Sequence, residues 1–114
     1  MMFLRNNKYK VSPVAARTVC GKVFASKAEA TRYMELKLLQ QAGVITDLKT
    51  QVPFPFDIAG VHICTYRADF TYYEKGGFVV EEVKGCETPV WKLKERLFHA
   101  LYPSLNLRVL HPGS

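Results

Sequence analysis

Between Val61 and Lys84 the chain reads VHICTYRADFTYYEKGGFVVEEVK, two runs rich in β-branched and aromatic residues around Glu74-Lys75-Gly76-Gly77. This pattern predicts an antiparallel hairpin with arms Val61 to Tyr73 and Phe78 to Lys84. A two-residue loop at Lys75-Gly76 and a four-residue loop give the same register. Tyr73 then lies opposite Phe78, Asp69 opposite Glu82, and Arg67 opposite Lys84. Because side chains alternate along a strand, Arg67, Asp69 and Thr71 are expected on one face, against the row Phe78, Val80, Glu82 and Lys84. Glu81 and Val83 point the other way.

The flanking segments supply the other elements. Ser26 opens a helix to about Gln41, with Gly43 as its stop. Ser26-Lys27-Ala28-Glu29 fits a capping box, in which Glu29 returns to the Ser26 backbone N–H. Glu29 also lines up with Tyr33, Leu36 and Gln40, a half-apolar line suited to facing a sheet. Apolar residues occur nearly all round this helix, so periodicity does not choose the buried side. Before it, Thr18 to Phe24 reads as a short strand or tight hairpin centred on Gly21. After it, Ile45 to Phe56 is extended, with Pro53 and Pro55 marking an edge or an irregular end, and Gln51 reads as a solvent-facing glutamine. Asp57 to Gly60 is a turn. Thr88 and Pro89 are N-cap and first-turn residues for a helix over Val90 to Leu101. Its apolar face is Val90, Trp91, Leu93, Leu97, Phe98, Ala100 and Leu101. Lys94 falls inside that sector at about 100° per residue. Asn106 to Leu110 predicts a last strand.

Composition narrows the class. A chain of 114 residues with 48% hydrophobic and 23% charged residues is one globular domain. Residues 1–17, with Arg5, Lys8, Lys10 and Arg17, read as a basic N-terminal arm, and 18–114 as the domain. No apolar run has the length of a membrane span, and no signal-peptide core opens the chain, so a cytoplasmic protein without membrane association is expected. Cys20, Cys64 and Cys86 are odd in number without metal-ligand spacing, and His62, His99 and His111 are scattered, which argues against zinc. Sixteen Lys and Arg against ten Asp and Glu give net charge +6, an excess suited to a polyanion such as nucleic acid.

Within this basic chain the hairpin brings carboxylates together. Directly opposed residues have Cβ atoms roughly 5 Å apart. Two carboxylates so placed need a cation between them or a raised pKa on one. A divalent metal meets the first need, and Mg²⁺ suits one or two carboxylates plus water and phosphate oxygens. The alternative for the hairpin alone is a solvated charged face. Against it, Glu82 shares its row with Phe78 and Val80, as at the mouth of a cleft.

Asp69 in RADF, Glu82-Val83-Lys84 in EEVKG and Glu29 in the first helix together resemble the PD-(D/E)XK nuclease superfamily. Ala68 stands where the superfamily usually has Pro. FASKAEATRYMELKLL, Gln51, YRADFTYY, VVEEVKG and the Thr88, Trp91, Lys94 spacing are similar to a family of small phage and prophage proteins, endonuclease-like and Holliday-junction-resolvase-like, over residues 18 to 102. The resemblance implies a restriction-endonuclease-like core of α/β (α+β) class, with a central mixed sheet, a catalytic β-hairpin and two flanking helices. It implies Mg²⁺ or Mn²⁺ held by Asp69, Glu82 and the Val83 carbonyl, with Lys84 and Glu29 as further catalytic residues. The implied function is metal-dependent hydrolysis of DNA, branched DNA included, by a phage or prophage endonuclease acting as a homodimer in the host cytoplasm. Lys94 is read from its position on the second helix as a second active-site cation, the alternative being a core lysine that snorkels to water. Two other functions fit the same sequence: a non-catalytic DNA-binding protein on this fold, and a phage-encoded protein-interaction module inhibiting a host enzyme.

Overall fold

The computed structural model describes residues 13–19, 22–23 and 26–112. Within them the central hairpin forms in the expected register, β4 (Val61–Glu74) against β5 (Gly77–Val83), with Tyr73 paired to Phe78 and Glu74 to Gly77. Lys75 and Gly76 both take left-handed backbone angles, φ 52° and 79°, the type I′ geometry that matches strand twist. A second turn of this kind, Ala59 and Gly60 at φ 52° and 79°, joins β4 to β3 (Ile45–Ile58). The sheet order is β3-β4-β5-β6, antiparallel except that β6 (Asn106–Leu110) runs parallel to β5. A parallel neighbour requires a crossover, and α2 (Pro89–Leu101) supplies it. Ahead of the sheet, β1 (Thr18–Val19) and β2 (Lys22–Val23) form a separate small hairpin. The class is therefore mixed α+β, with a four-stranded mixed sheet and two helices.

α1 (Lys27–Gln41) and α2 cover opposite faces of the sheet. Ala30, Tyr33 and Leu36 of α1 pack with Ile45, Phe70, Tyr72 and Val79. Trp91 and Phe98 of α2 pack with Phe54, Phe56, Tyr66, Ala68 and Val80. Thus Tyr66 and Ala68 face α2, whereas Phe70 and Tyr72, at the same parity on the same strand, face α1. The strand rolls over at Asp69. The cause lies on its neighbour, where Thr50 pairs with Phe70 and Val52 with Ala68, and Gln51 between them is left-handed at φ 54°. One residue out of the β region reverses the facing of the residues after it. β3 changes sides at the same level, with Leu48 against the α1 layer and Val52 against the α2 layer.

This roll corrects two expectations. The β4–β5 ladder ends at Phe70 opposite Glu81, so Asp69 with Glu82 and Arg67 with Lys84 are not ladder pairs. Thr71, paired with Val80, looks to the α2 side, so Arg67, Asp69 and Thr71 do not share one face.

Both helix starts form as expected. The Ser26 hydroxyl accepts from Glu29 N at 3.1 Å, and the Thr88 hydroxyl accepts from Trp91 N at 3.1 Å, with Pro89 following. α1 ends at Ala42 and Gly43, the latter at φ 80°. The apolar face expected for α2 is too wide. Val90, Leu93 and Ala100 are exposed, because only the stripe through Trp91 and Phe98 meets the sheet. At the chain start, Val14–Arg17 forms a 3₁₀ turn beside α1. Arg5, Lys8, Lys10 and Cys20 lie outside the described residues. Cys64 and Cys86 are free thiols. Among the described residues no helix is long and apolar enough to cross a membrane.

Candidate active site

Where β4 and β5 part, side chains replace the ladder. The Asp69 carboxylate accepts the Val83 backbone N–H at 2.8 Å, and the Asp69 backbone N–H in turn favours the charged Glu82 carboxylate. Glu29 reaches the same point from the first turn of α1. Its carboxylate accepts from Gln51 Nε2 at 3.1 Å and lies within hydrogen-bonding reach of Asp69. Gln51 is exposed, as expected of a solvent-facing glutamine, and its amide is in addition a partner of the site. Of the expected capping box, the serine half forms, and the glutamate is given to the sheet.

Three carboxylates from three elements are thus buried together, Glu29 at 5%, Asp69 at 8% and Glu82 at 6% exposure. Their charges oppose one another. Burial, then Glu82, pushes the Asp69 carboxyl up to about 7. Burial and then Glu82 raise Glu29. Glu82 is also raised by burial, against the pull of the Tyr66 hydroxyl and Lys84. Lys84 acts on all three. Its Nζ stands 3.4 Å from Glu82 Oε2 and 4.8 Å from the centroid of the Trp91 ring, a cation–π contact that fixes its direction. Tyr66 donates to Glu82 Oε1 at 2.5 Å, and its own ionisation is suppressed by burial and by Glu82.

Of these groups, Tyr66, Glu82, Lys84 and Trp91 line a cleft of about 310 Å³, together with Thr65, Arg67 and Lys94. Lys94, expected in the apolar sector of α2, is half-buried on this wall. All the expected site residues except Lys94 meet at the parting of the strands, and Lys94 joins them across the cleft. Val83 contributes its backbone N–H, while its side chain packs toward α1.

Glu81 belongs elsewhere. Fully buried under α1, it takes Arg32 Nε at 2.7 Å and Nη2 at 3.0 Å, and the Tyr72 hydroxyl at 2.5 Å. A larger hollow of about 580 Å³ lies on that side, between α1 and the end of β6. In it Arg32 is held by Glu81 and Glu35, and His111 Nε2 lies 3.1 Å from Glu87.

Sequence reasoning missed Tyr66 as the clamp on Glu82 and Trp91 as the support of Lys84. Their signal was present, an aromatic three residues before Asp69 and another in the first turn after Pro89, but strict alternation put Tyr66 on the wrong face.

Fold and site define a class: a small α+β domain with buried carboxylates and a lysine at the mouth of a basic cleft. The chain belongs to the family described as "Protein of unknown function (DUF1064)", whose family model matches residues 6–112. Comparison with curated proteins and with solved structures finds no match.

Proposed function

We propose that this chain is a metal-dependent nuclease that hydrolyses phosphodiesters of DNA, built on a restriction-endonuclease-like core. The observation that carries the reading is the charge balance of the site. Glu29, Asp69 and Glu82 are buried together, and Lys84 acts on all three. Such a cluster is destabilising unless it takes up a proton or a cation. Among the described residues no group of three His, Cys, Asp or Glu side chains is gathered as a ready metal site. The donors nevertheless fit Mg²⁺ or Mn²⁺, which are satisfied by one or two carboxylates completed by water and phosphate oxygens. Asp69 and Glu82 would hold the ion, with the Val83 carbonyl as the further ligand that the family resemblance implies. When bound, such an ion neutralises phosphate charge and acidifies water.

The chain's own residues do the rest. The Tyr66 hydroxyl pins one oxygen of Glu82 and leaves the other directed at Lys84. Lys84, steadied on Trp91, has donors left for a phosphoryl oxygen as charge grows there. Glu29, hydrogen-bonded to Gln51 and close to Asp69, is the base to take a proton from water at the carboxylates. Lys94 adds positive charge on the opposite wall. The proposed assembly is a homodimer, in keeping with the resemblance.

The test is cleavage of junction, flap, duplex and single-stranded substrates in Mg²⁺, Mn²⁺ or EDTA. Cleavage that needs the metal and is lost in Asp69→Asn and Glu82→Gln is expected. Absence of metal-dependent cleavage on every substrate would sink the reading.

A further inference from the structure

We infer that Arg67 and Lys94 form a second anion seat in the cleft, which holds the phosphate next to the one at the carboxylates on the same nucleic-acid strand. The identity of that ligand rests on the nuclease reading; the existence of the seat does not.

The seat arises where the β4–β5 ladder stops. Beyond Phe70 opposite Glu81, β4 no longer has β5 beside it, and its flank around Arg67 opens into the cleft. Across from it stands α2. Lys94 lies three residues after Trp91 and four before Phe98, so it projects from the same inward stripe as these two buried side chains. A lysine on an inward stripe is unfavourable unless its charge is met. Three cations line this one cleft, and Lys84 is committed to Glu82. Among the described residues, neither Arg67 nor Lys94 has an ion-pair partner. The result is a guanidinium fork and an ammonium lining one cleft, whose lining carboxylate, Glu82, is already met by Tyr66 and Lys84. That arrangement suits the tetrahedral, multiply charged oxygens of phosphate. The Thr65 hydroxyl at the rim is turned to His62 Nε2 at 3.3 Å, whose Nδ1 meets Asp57 Oδ1 at 2.6 Å, so it is engaged on the protein side.

The experiment uses Trp91, the single tryptophan of the chain, which lines the cleft under Lys84. Its fluorescence is followed while the whole protein is titrated with inorganic pyrophosphate in EDTA, and with a short oligodeoxynucleotide in Ca²⁺. Arg67→Met with Lys94→Met keeps both stems and removes both charges; Lys92→Met, exposed on the same helix, is the control. The double variant is expected to bind both ligands about tenfold more weakly or worse, a loss of the order expected for charge-assisted hydrogen bonds. The control is expected to match the parent. Parent-like affinity in the double variant, equal weakening in the control, or no pyrophosphate binding by the parent each overturns the seat. Pyrophosphate binding that depends on Arg67 and Lys94 without any DNA cleavage would keep the seat and remove the nuclease reading. Cleavage with affinities indifferent to both residues would do the reverse.

Discussion

Asp69 shows most directly how a residue can be held against its own stability. Its carboxyl ordinarily ionises near 3.8 and here does so at about 7, because burial and Glu82 both disfavour the anion. A raised folded-state pKa contributes stability that is complete below the unfolded value and is lost as pH rises through the folded one. In EDTA the protein is therefore expected to weaken between about pH 4 and pH 7, by on the order of a few kcal/mol. Glu29 and Glu82, both raised, act in the same direction. Asp69→Asn keeps an oxygen for the Val83 N–H and removes the charge, so it should flatten this decline and be more stable than the parent at pH 8 without metal. Denaturant unfolding at pH 5 and pH 8 in EDTA measures it. A parent equally stable at both values, or a variant with the same slope, would remove Asp69 from the centre of the electrostatics. Glu29 shows a related economy: its backbone N–H completes the Ser26 cap, which frees its carboxylate for Gln51 and Asp69.

At the scale of elements, two neighbouring glutamates on β5 divide the labour of the strand. Glu82 looks to the cleft, and Glu81 ties the strand to α1 through Arg32. Removing one partner of a buried pair leaves the other charge uncompensated, typically at about 3–5 kcal/mol. Arg32 is partly exposed, which places the expected loss for Glu81→Ala at the lower end of that range. Thermal unfolding should show a large fall for Glu81→Ala, whereas Glu82→Gln should keep the fold while losing the activity proposed for it. The reverse pattern would mean that the two carboxylates have exchanged roles. Turn chemistry, helix caps and hairpin register were legible in the sequence, because each depends on residues close together in the chain. Lys75-Gly76, Ser26, Thr88 and the Tyr73–Phe78 pairing all act locally. The gathering of Glu29, Asp69 and Glu82 was anticipated through the motif, and the route to it was not. It depends on a left-handed Gln51, a conformation that no residue preference signals in a glutamine, and on its effect on a neighbouring strand. The excess width assigned to α2's apolar face has a similar origin. Val90 and Leu93 satisfy helical periodicity but stay exposed, off the stripe through Trp91 and Phe98 that packs on the sheet.

For the whole molecule, a net charge of +6 surrounds a buried acidic site. A polyanion is drawn to the surface by the excess, and the cleft cations Arg67, Lys84 and Lys94 meet it at the entrance. Binding of duplex DNA in Ca²⁺ should therefore fall linearly with salt on a log–log plot, by about 0.9 in slope for each phosphate engaged. Arg67→Met with Lys94→Met should reduce that slope by roughly one, for the single phosphate the two residues seat. A flat response in the parent protein would favour recognition of another protein instead. The parallel pairing of β5 with β6 also bears on biosynthesis. The strand that carries Glu82 and leads into Lys84 is made before its partner, and Lys84 N donates to Leu110 O at 2.8 Å only once β6 has followed α2 back across the sheet. Such non-local pairing is the slow part of folding. A nascent chain still short of β6 thus lacks the backbone anchor of its own lysine, and the site is completed only as that strand leaves the ribosome.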